Sequence, residues 1–252
     1  MRLNNIIMYL VIDIGNTLHK TAVFSEEGEM AVMQKSGRLT CGRLSALFSK
    51  YSIDHAILSS VGKYDENIEV EIRRRCPLLK LSARTLLPVS IKYKTPCSLG
   101  PDRIANAVAA HNMFPDSTVL SVQLGTCMVC DIVDAEACYW GGSISPGIDM
   151  RLKALHHYTN KLPQVVKSVP ETVLGKSTEE SILSGVVNGI LFEFEGIVEH
   201  YKALFPDLKV LVIGGDADYL QMSKKITIFA PQYFVLLGLY QILRYNLDKC
   251  RK

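Results

Sequence analysis

An apolar run that stops on an acid and a glycine turn, and then recurs, constrains this chain more than any other feature. Met8 to Ile14 is apolar apart from Asp13 and leads directly into Gly15-Asn16-Thr17. Thr118 to Leu124 is a second apolar run and ends in Gly125-Thr126. Short apolar runs bounded by turn residues read as buried strands. After the first, Leu18 to Phe24 returns as a hairpin partner, Ser25-Glu26-Glu27-Gly28 turns, and Met30 to Lys35 gives a third strand. After the second, Met128 to Val133 returns, Asp134-Ala135-Glu136 turns, and Cys138 to Ile144 follows. The plan predicts an internally duplicated α/β fold, each copy a mixed sheet flanked by helices.

Helices fill the intervals. Leu39 to Tyr51 and Glu66 to Cys76 carry helical spacing, the latter stopped by Pro77. A buried strand, Ile53 to Ser59, separates them. Asp102 to Met113, Asp149 to Tyr158 and Pro231 to Asn246 also read as helices. Glu179 to Leu204 is a long apolar stretch, but Gly185, Gly189 and Gly196 inside it weaken a helix unless something packs closely there. Val210 to Ile213 is a strand ending in Gly214-Gly215. With no Pro/Ser-rich linker, the lobe boundary is expected at Phe114-Pro115-Asp116, giving lobes 1–115 and 116–252.

Composition excludes several classes. A chain of 252 residues with 48% hydrophobic and 21% charged residues is an ordered globular protein. A net charge of +3 with no Lys/Arg tract gives no concentrated basic face for nucleic acid. The apolar stretch from Ile6 to Ile12 is too short to span a bilayer and lacks a cleavage site, so a soluble protein without a membrane partner is expected. Seven cysteines at irregular spacing argue against a disulfide framework and for a reducing cytoplasm. Cys127 and Cys130 have the spacing of a redox or zinc pair, but no second ligand pair accompanies them and they fall in an apolar strand.

The chemistry-bearing residues cluster at the turns. In Asp13-Ile14-Gly15-Asn16-Thr17 the acid at a strand end can hold Mg²⁺, while Gly15 lets main-chain N–H groups approach phosphate. Asn16 and Thr17 add donors, and Lys20 is within reach of the same phosphates. An ordinary hairpin turn uses the same residue types; the second Gly-Thr turn tips the balance, because paired phosphate loops facing one cleft are what an ATP-clamping fold requires. In Leu99-Gly100-Pro101-Asp102-Arg103, proline and an acid make a common helix start. Asp102 can also accept a hydroxyl proton, and Arg103 offers a planar fork for a carboxylate or phosphate. For Trp140 to Gly147, rich in glycine and serine, close approach of a ligand and tight strand packing both remain open. Gly214-Gly215 reads by default as a tight turn. Gly175-Lys176-Ser177-Thr178 lacks the upstream glycine of a P-loop, position 170 being Pro170, and Thr178 reads instead as a helix cap. The six histidines have no metal-like spacing, the adjacent His156 and His157 diverging on a helix.

These motifs stand in the order found in the type III pantothenate kinases, of the acetate kinase/Hsp70/actin-like superfamily, and the chain resembles that family over nearly its whole length. The resemblance rests on DIGNT, YKTPCSLGPDRIANAVAA, QLGT, GGSISPGIDMRLKAL, NKLP, GKSTEESILSG, VIGGDA and FVLLGLYQILRYN. It implies a duplicated actin-like (ribonuclease H-like) fold and the ATP-dependent phosphorylation of pantothenate on the way to coenzyme A. It further implies that Asp13, Ile14, Gly15, Asn16, Thr17, Leu18, His19 and Lys20, with Thr126, bind ATP, and that Mg²⁺ is a cofactor, with Asp13 the candidate to hold it through the phosphates. Asp102 would be the proton acceptor, and Tyr93, Gly100, Pro101, Asp102 and Arg103 would bind pantothenate. Thr178 would reach pantothenate from the partner subunit of a homodimer.

One departure stands out. The family pattern has an aspartate two residues before the second Gly-Thr, as ligand to a monovalent cation, K⁺ or NH₄⁺. Here that position is Gln123, and Val129 follows where threonine is usual. A neutral amide supplies no charge, so the cation requirement is expected to be lost or weakened, or the activity low. The competing expectations are another small-molecule kinase of the same superfamily and a catalytically weak regulatory relative.

Overall fold

The computed structural model describes residues 7–221, 223 and 228–250. The first residue of the opening apolar run, Ile6, lies outside them. The chain forms two compact units. One runs to Asn112 and takes in the chain from Tyr233 on; the other is Met113–Gln232.

The first unit contains β1 (Met8–Ile14), β2 (His19–Ser25), β3 (Met30–Ser36), α1 (Cys41–Lys50), β4 (Ile53–Ser60), α2 (Asn67–Arg73), β5 (Leu78–Lys80), the two-residue β6 (Ser90–Ile91), α3 (Pro101–Met113) and the closing helix α7 (Phe234–Cys250). Its sheet runs β3-β2-β1-β4-β5. β2 is antiparallel to β1 and β3 to β2, whereas β4 and β5 run parallel to β1. A strand exposes alternate residues to opposite faces. Leu10, Ile12 and Ile14 therefore share a core with Leu44 and Leu47 of α1 and Ile68 and Ile72 of α2. Tyr9, Val11 and Asp13 take the other face, where Tyr9 meets Tyr240 of α7. Both faces are covered, which is why the run is apolar throughout rather than alternating.

The second unit contains β7 (Val119–Leu124), β8 (Cys127–Val133), β9 (Cys138–Pro146), α4 (Ile148–His157), α5 (Thr178–Leu183), α6 (Gly189–Leu204), β10 (Lys209–Ile213) and β11 (Ile228–Phe229). In its sheet β11, β10, β7, β8 and β9 follow in that order. β8 is antiparallel to β7 and β9 to β8, and β10 and β11 run parallel to β7. Strand for strand this is the topology of the first unit, so the expected duplication is present.

The closing helix departs from the expected division at 115/116. Its residues pack within the first unit: a Cβ at Gly238 would come within 1.9 Å of the Ala105 carbonyl oxygen. Tyr240 stacks on Phe24 with centroids 4.9 Å apart. The Arg244 guanidinium bonds the Glu26 carbonyl. The two lobes are therefore not consecutive halves of the chain.

Three smaller differences have local causes. α2 ends at Arg73 rather than Cys76, and the next amides only close turns onto Val70 and Ile72; Pro77 disfavours helix at the residue before it. The stretch 178–204 is broken by a π-type turn at Ser184–Asn188. There the Ser184 hydroxyl bonds the Val173 carbonyl and the Asn188 amide bonds Ser184 Oγ at 3.1 Å. Nothing crowds Gly185, Gly189 or Gly196, so close packing is not their purpose. This stretch is long and apolar enough to cross a membrane by length and composition alone, yet half of its most apolar 18-residue window is buried. Its residues Ile182, Val186, Ile190, Phe194 and Val198 belong to the second unit's core.

Candidate active site

At the first turn, the sheet register sets the chemistry. Asp13 is paired with Lys20 across the hairpin and with Ser59 on β4. Its carboxyl is almost fully buried, with Lys20 Nζ 3.6 Å from Oδ2. Burial raises the Asp13 pKa to about 6; Lys20 opposes the shift, the negative charge of Asp102 adds to it, and Ser59 pulls the same way as Lys20. The Asp13 Oδ1 atom has no hydrogen-bond partner of normal geometry.

The rest of the turn is held by main-chain contacts. Gly15 N–H bonds the Leu18 carbonyl at 3.1 Å, and the Ile14 carbonyl accepts from Val61 and Gly62. A Cβ at Gly62 would sit 2.6 Å from the Gly15 carbonyl oxygen, so two glycines let the strand ends close together. Asn16, Thr17 and Leu18 are exposed around this frame. His19 is different: its ring is buried, and Nδ1 accepts from Leu39 N–H at 3.0 Å. Burial, with Arg38 nearby, holds its pKa below the usual imidazole range. The side chain of His19 serves the fold, leaving its backbone to the turn.

The start of α3 gathers the second set. Asp102 Oδ1 accepts from the Arg103 amide at 3.0 Å. A Cβ on residue 100 would lie 2.6 Å from that same oxygen, so Gly100 leaves the room in which the carboxylate folds back. The Arg103 guanidinium is buried over the Tyr93 ring, 5.5 Å from its centroid. The structure therefore unites Tyr93, Gly100, Asp102 and Arg103, and couples Asp102 electrostatically to Asp13, all within the first unit.

In the second unit the Gly125-Thr126 turn has two glycine walls. A Cβ at Gly147 would meet the Gly125 carbonyl oxygen at 2.0 Å, and one at Gly214 the Leu124 carbonyl oxygen at 2.1 Å. Gly214 also has φ +112°, a conformation that L side chains rarely adopt. Gly142 would collide with the Cys130 carbonyl on the adjacent strand. Of the two readings left open for 140–147, packing accounts for Gly142, while Gly147 and Gly214 shape the turn. After it, Lys167 bridges Asp149 (2.8 Å) and Asp216 (2.7 Å).

The duplication makes the contrast between the turns explicit. Gln123 is paired with Val129 on β8 and Ile213 on β10, the positions that correspond to Asp13, Lys20 and Ser59. The second turn has no carboxylate at that position. Sequence reading also mistook the cap of α5: Ser177 is the N-cap, its Oγ accepting from Glu180 N–H while Glu180 accepts from Lys176 N–H. This is a capping box shifted by one residue, and it leaves Thr178 exposed in the first helical position. Cys127 and Cys130 lie on β8, and among the described residues no group of metal-ligating side chains is present. Ser59 and Gly62 were not singled out from the sequence; the signal for Ser59 was the polar Ser59-Ser60 end that follows the apolar Ala56-Ile57-Leu58.

Comparison with known proteins shows the family to which the chain is similar. The profile of the type III pantothenate kinase family matches residues 9–200. A type III pantothenate kinase from Phocaeicola vulgatus is 39% identical over 240 residues, covering 95% of this chain and 99% of its own. One from Christiangramia forsetii is 40% identical over 242 residues, covering 95% and 99%. Among solved structures, a ROK family glucokinase from Streptomyces griseus, in complex with glucose and AMPPNP, superposes with a TM-score of 0.53 at 12% identity. It covers 94% of this chain and 99% of its own, and that likeness concerns the actin-like kinase fold alone.

Proposed function

The chain belongs to the type III pantothenate kinase family, and on that premise we propose how its residues divide the work of the family reaction. The reaction moves the γ-phosphoryl group of ATP to the primary hydroxyl of pantothenate, the first committed step toward coenzyme A.

Phosphoryl transfer depends on positioning and on compensation of charge more than on covalent chemistry. The turn from Asp13 to Lys20 holds ATP phosphates through main-chain N–H groups, the Asn16 and Thr17 side chains and the Lys20 ammonium; Thr126 is a further ATP-binding residue. Asp13 is the residue that would hold Mg²⁺, directly or through water. A buried carboxylate whose hydrogen-bonding capacity the fold leaves unfilled fits a hard cation. Held there, the ion would supply compensation for the negative charge of the phosphates.

Asp102 accepts the proton of the attacking hydroxyl, oriented for it by the bond from the Arg103 amide. Arg103 pairs with the pantothenate carboxylate, its planar fork held in place by the ring of Tyr93. Gly100 and Pro101 complete that pocket, and Thr178 contributes from the partner subunit of a cytoplasmic homodimer. The observation that supports this reading is the geometry at the start of α3, where Asp102 accepts from the Arg103 amide and the Arg103 guanidinium lies over the Tyr93 ring.

The monovalent cation fits less well. Gln123 supplies a neutral amide, and both of its register partners are apolar. The requirement for K⁺ or NH₄⁺ is accordingly lost or weakened. Coupled measurement of ADP release, with and without pantothenate and across K⁺ concentrations, tests both statements. Pantothenate-dependent ADP release without K⁺ is the expected result. No pantothenate-dependent release at any salt concentration would refute the substrate assignment, and strict K⁺ dependence would refute the cation statement.

A further inference from the structure

Two buried oxygens in the first unit lack a hydrogen-bond partner of normal geometry. Asp13 Oδ1 and Ser59 Oγ are both shut away from solvent with no hydrogen-bond partner, and Ser59 is wholly inaccessible. Buried hydroxyls nearly always have a partner. Ser59 follows the fully buried Ile57 and Leu58, where a small apolar residue would pack without leaving a polar atom unsatisfied. Asp13 and Ser59 are direct register partners on adjacent parallel strands, so their side chains leave the sheet on the same face.

The second unit shows what that strand end looks like when no carboxylate is present. Gln123 stands for Asp13, Val129 for Lys20 and Ile213 for Ser59. The copy without the acid and the lysine also lacks the hydroxyl. The acid, the lysine and the hydroxyl are thus present in one copy and absent from the other, which associates Ser59 with Asp13.

We propose that Ser59 is a positioning residue for Mg²⁺-bound ATP: its hydroxyl donates to one oxygen of the Asp13 carboxylate and so fixes the other toward the cation. The inference rests on the reading of Asp13 as the cation-facing carboxylate. Rotation of an aspartate about its last torsion has broad, shallow minima, so a small turn of the Asp13 carboxyl closes the gap to Ser59. No proton changes owner in this step. Ser59 does not touch substrate; it acts through Asp13.

The test is equilibrium binding by the full chain of ATP with Mg²⁺, of ATP in EDTA, and of pantothenate, with Mn²⁺ paramagnetic resonance as a direct probe of the ion. Ser59→Ala should weaken Mg²⁺-ATP and Mn²⁺-ATP binding roughly 5- to 30-fold, the loss of one charge-assisted hydrogen bond. Metal-free ATP and pantothenate binding should stay within about twofold. Ser59→Cys, close in volume but a weak donor, should fall between and serves if the alanine variant does not fold. Equal losses with and without metal, or unchanged Mg²⁺-ATP affinity, would overturn the role of Ser59 while leaving Asp13 as the cation residue. Absence of metal-dependent ATP binding in the unmodified protein would overturn both.

Discussion

The Arg103 guanidinium lies over the ring of Tyr93, 5.5 Å from its centroid, although a proline turn and the start of a helix separate them in sequence. Arginine on an aromatic face is held in plane at little entropic cost. Arg103→Ala should raise the pantothenate KM about 100-fold while leaving the ATP KM nearly unchanged, a loss of about 3 kcal/mol typical of a charged hydrogen-bonded pair. Arg103→Lys should not rescue it, since an ammonium neither stacks nor forks. Tyr93→Leu should cost only about three- to fivefold. Steady-state kinetics with each substrate varied separates these effects.

Asp13→Asn should abolish phosphoryl transfer and yet stabilise the protein near neutral pH. The folded-state pKa of about 6 lies above the ordinary 3.8, so the native state binds that proton more tightly than the unfolded chain. This contribution is full below about pH 4 and is lost as pH rises through 6. Above pH 7 the charged carboxylate is a burden of roughly 1–3 kcal/mol, which the amide removes. Thermal unfolding of both proteins from pH 4 to 8 should show a gap that opens with rising pH; a constant gap would contradict the assignment.

Asp102→Asn should lower kcat by about 10²- to 10⁴-fold, the range for a general base, with pantothenate binding nearly intact. The negative charge of Asp102 also raises the Asp13 pKa. The variant should therefore lower the pKa of Asp13, measurable by carboxyl NMR titration.

Gly214→Ala should unfold or severely destabilise the second unit, by at least about 2 kcal/mol. The added carbon would meet the Leu124 carbonyl oxygen at 2.1 Å on a backbone already at φ +112°. Gly196→Ala, with open space around it in mid-helix, should instead gain about 0.5–1 kcal/mol. Chemical denaturation of the two variants gives opposite signs if the packing is as described.

Thiol reactivity should divide along burial. Cys97 and Cys250 are exposed and should react promptly with an aromatic disulfide in the native protein. Burial pushes Cys76 up to about 11 and Cys130 up to about 12, so neither supplies thiolate near neutral pH. Mass spectrometry of the labelled sites should find those two modified only in denaturant.

Much of this protein was legible in its sequence because the signals are local. The apolar runs ending at Asp13 and Gln123, the glycine turns and the proline start of α3 act through steric and hydrogen-bond preferences that span a few residues. They determined the strand–turn–strand order, the duplication and the candidate acids Asp13 and Asp102. Tertiary structure decided what depends on register and distant packing. It put α7 with the first unit through Gly238 against Ala105, and it set Ser59 beside Asp13. It also backed the Gly125 turn with Gly147 and Gly214, and raised Asp13 to about 6 by burying it. Each of these is a contact between residues far apart in the chain, or the solvent exclusion that such contacts produce, and no short window of sequence contains either.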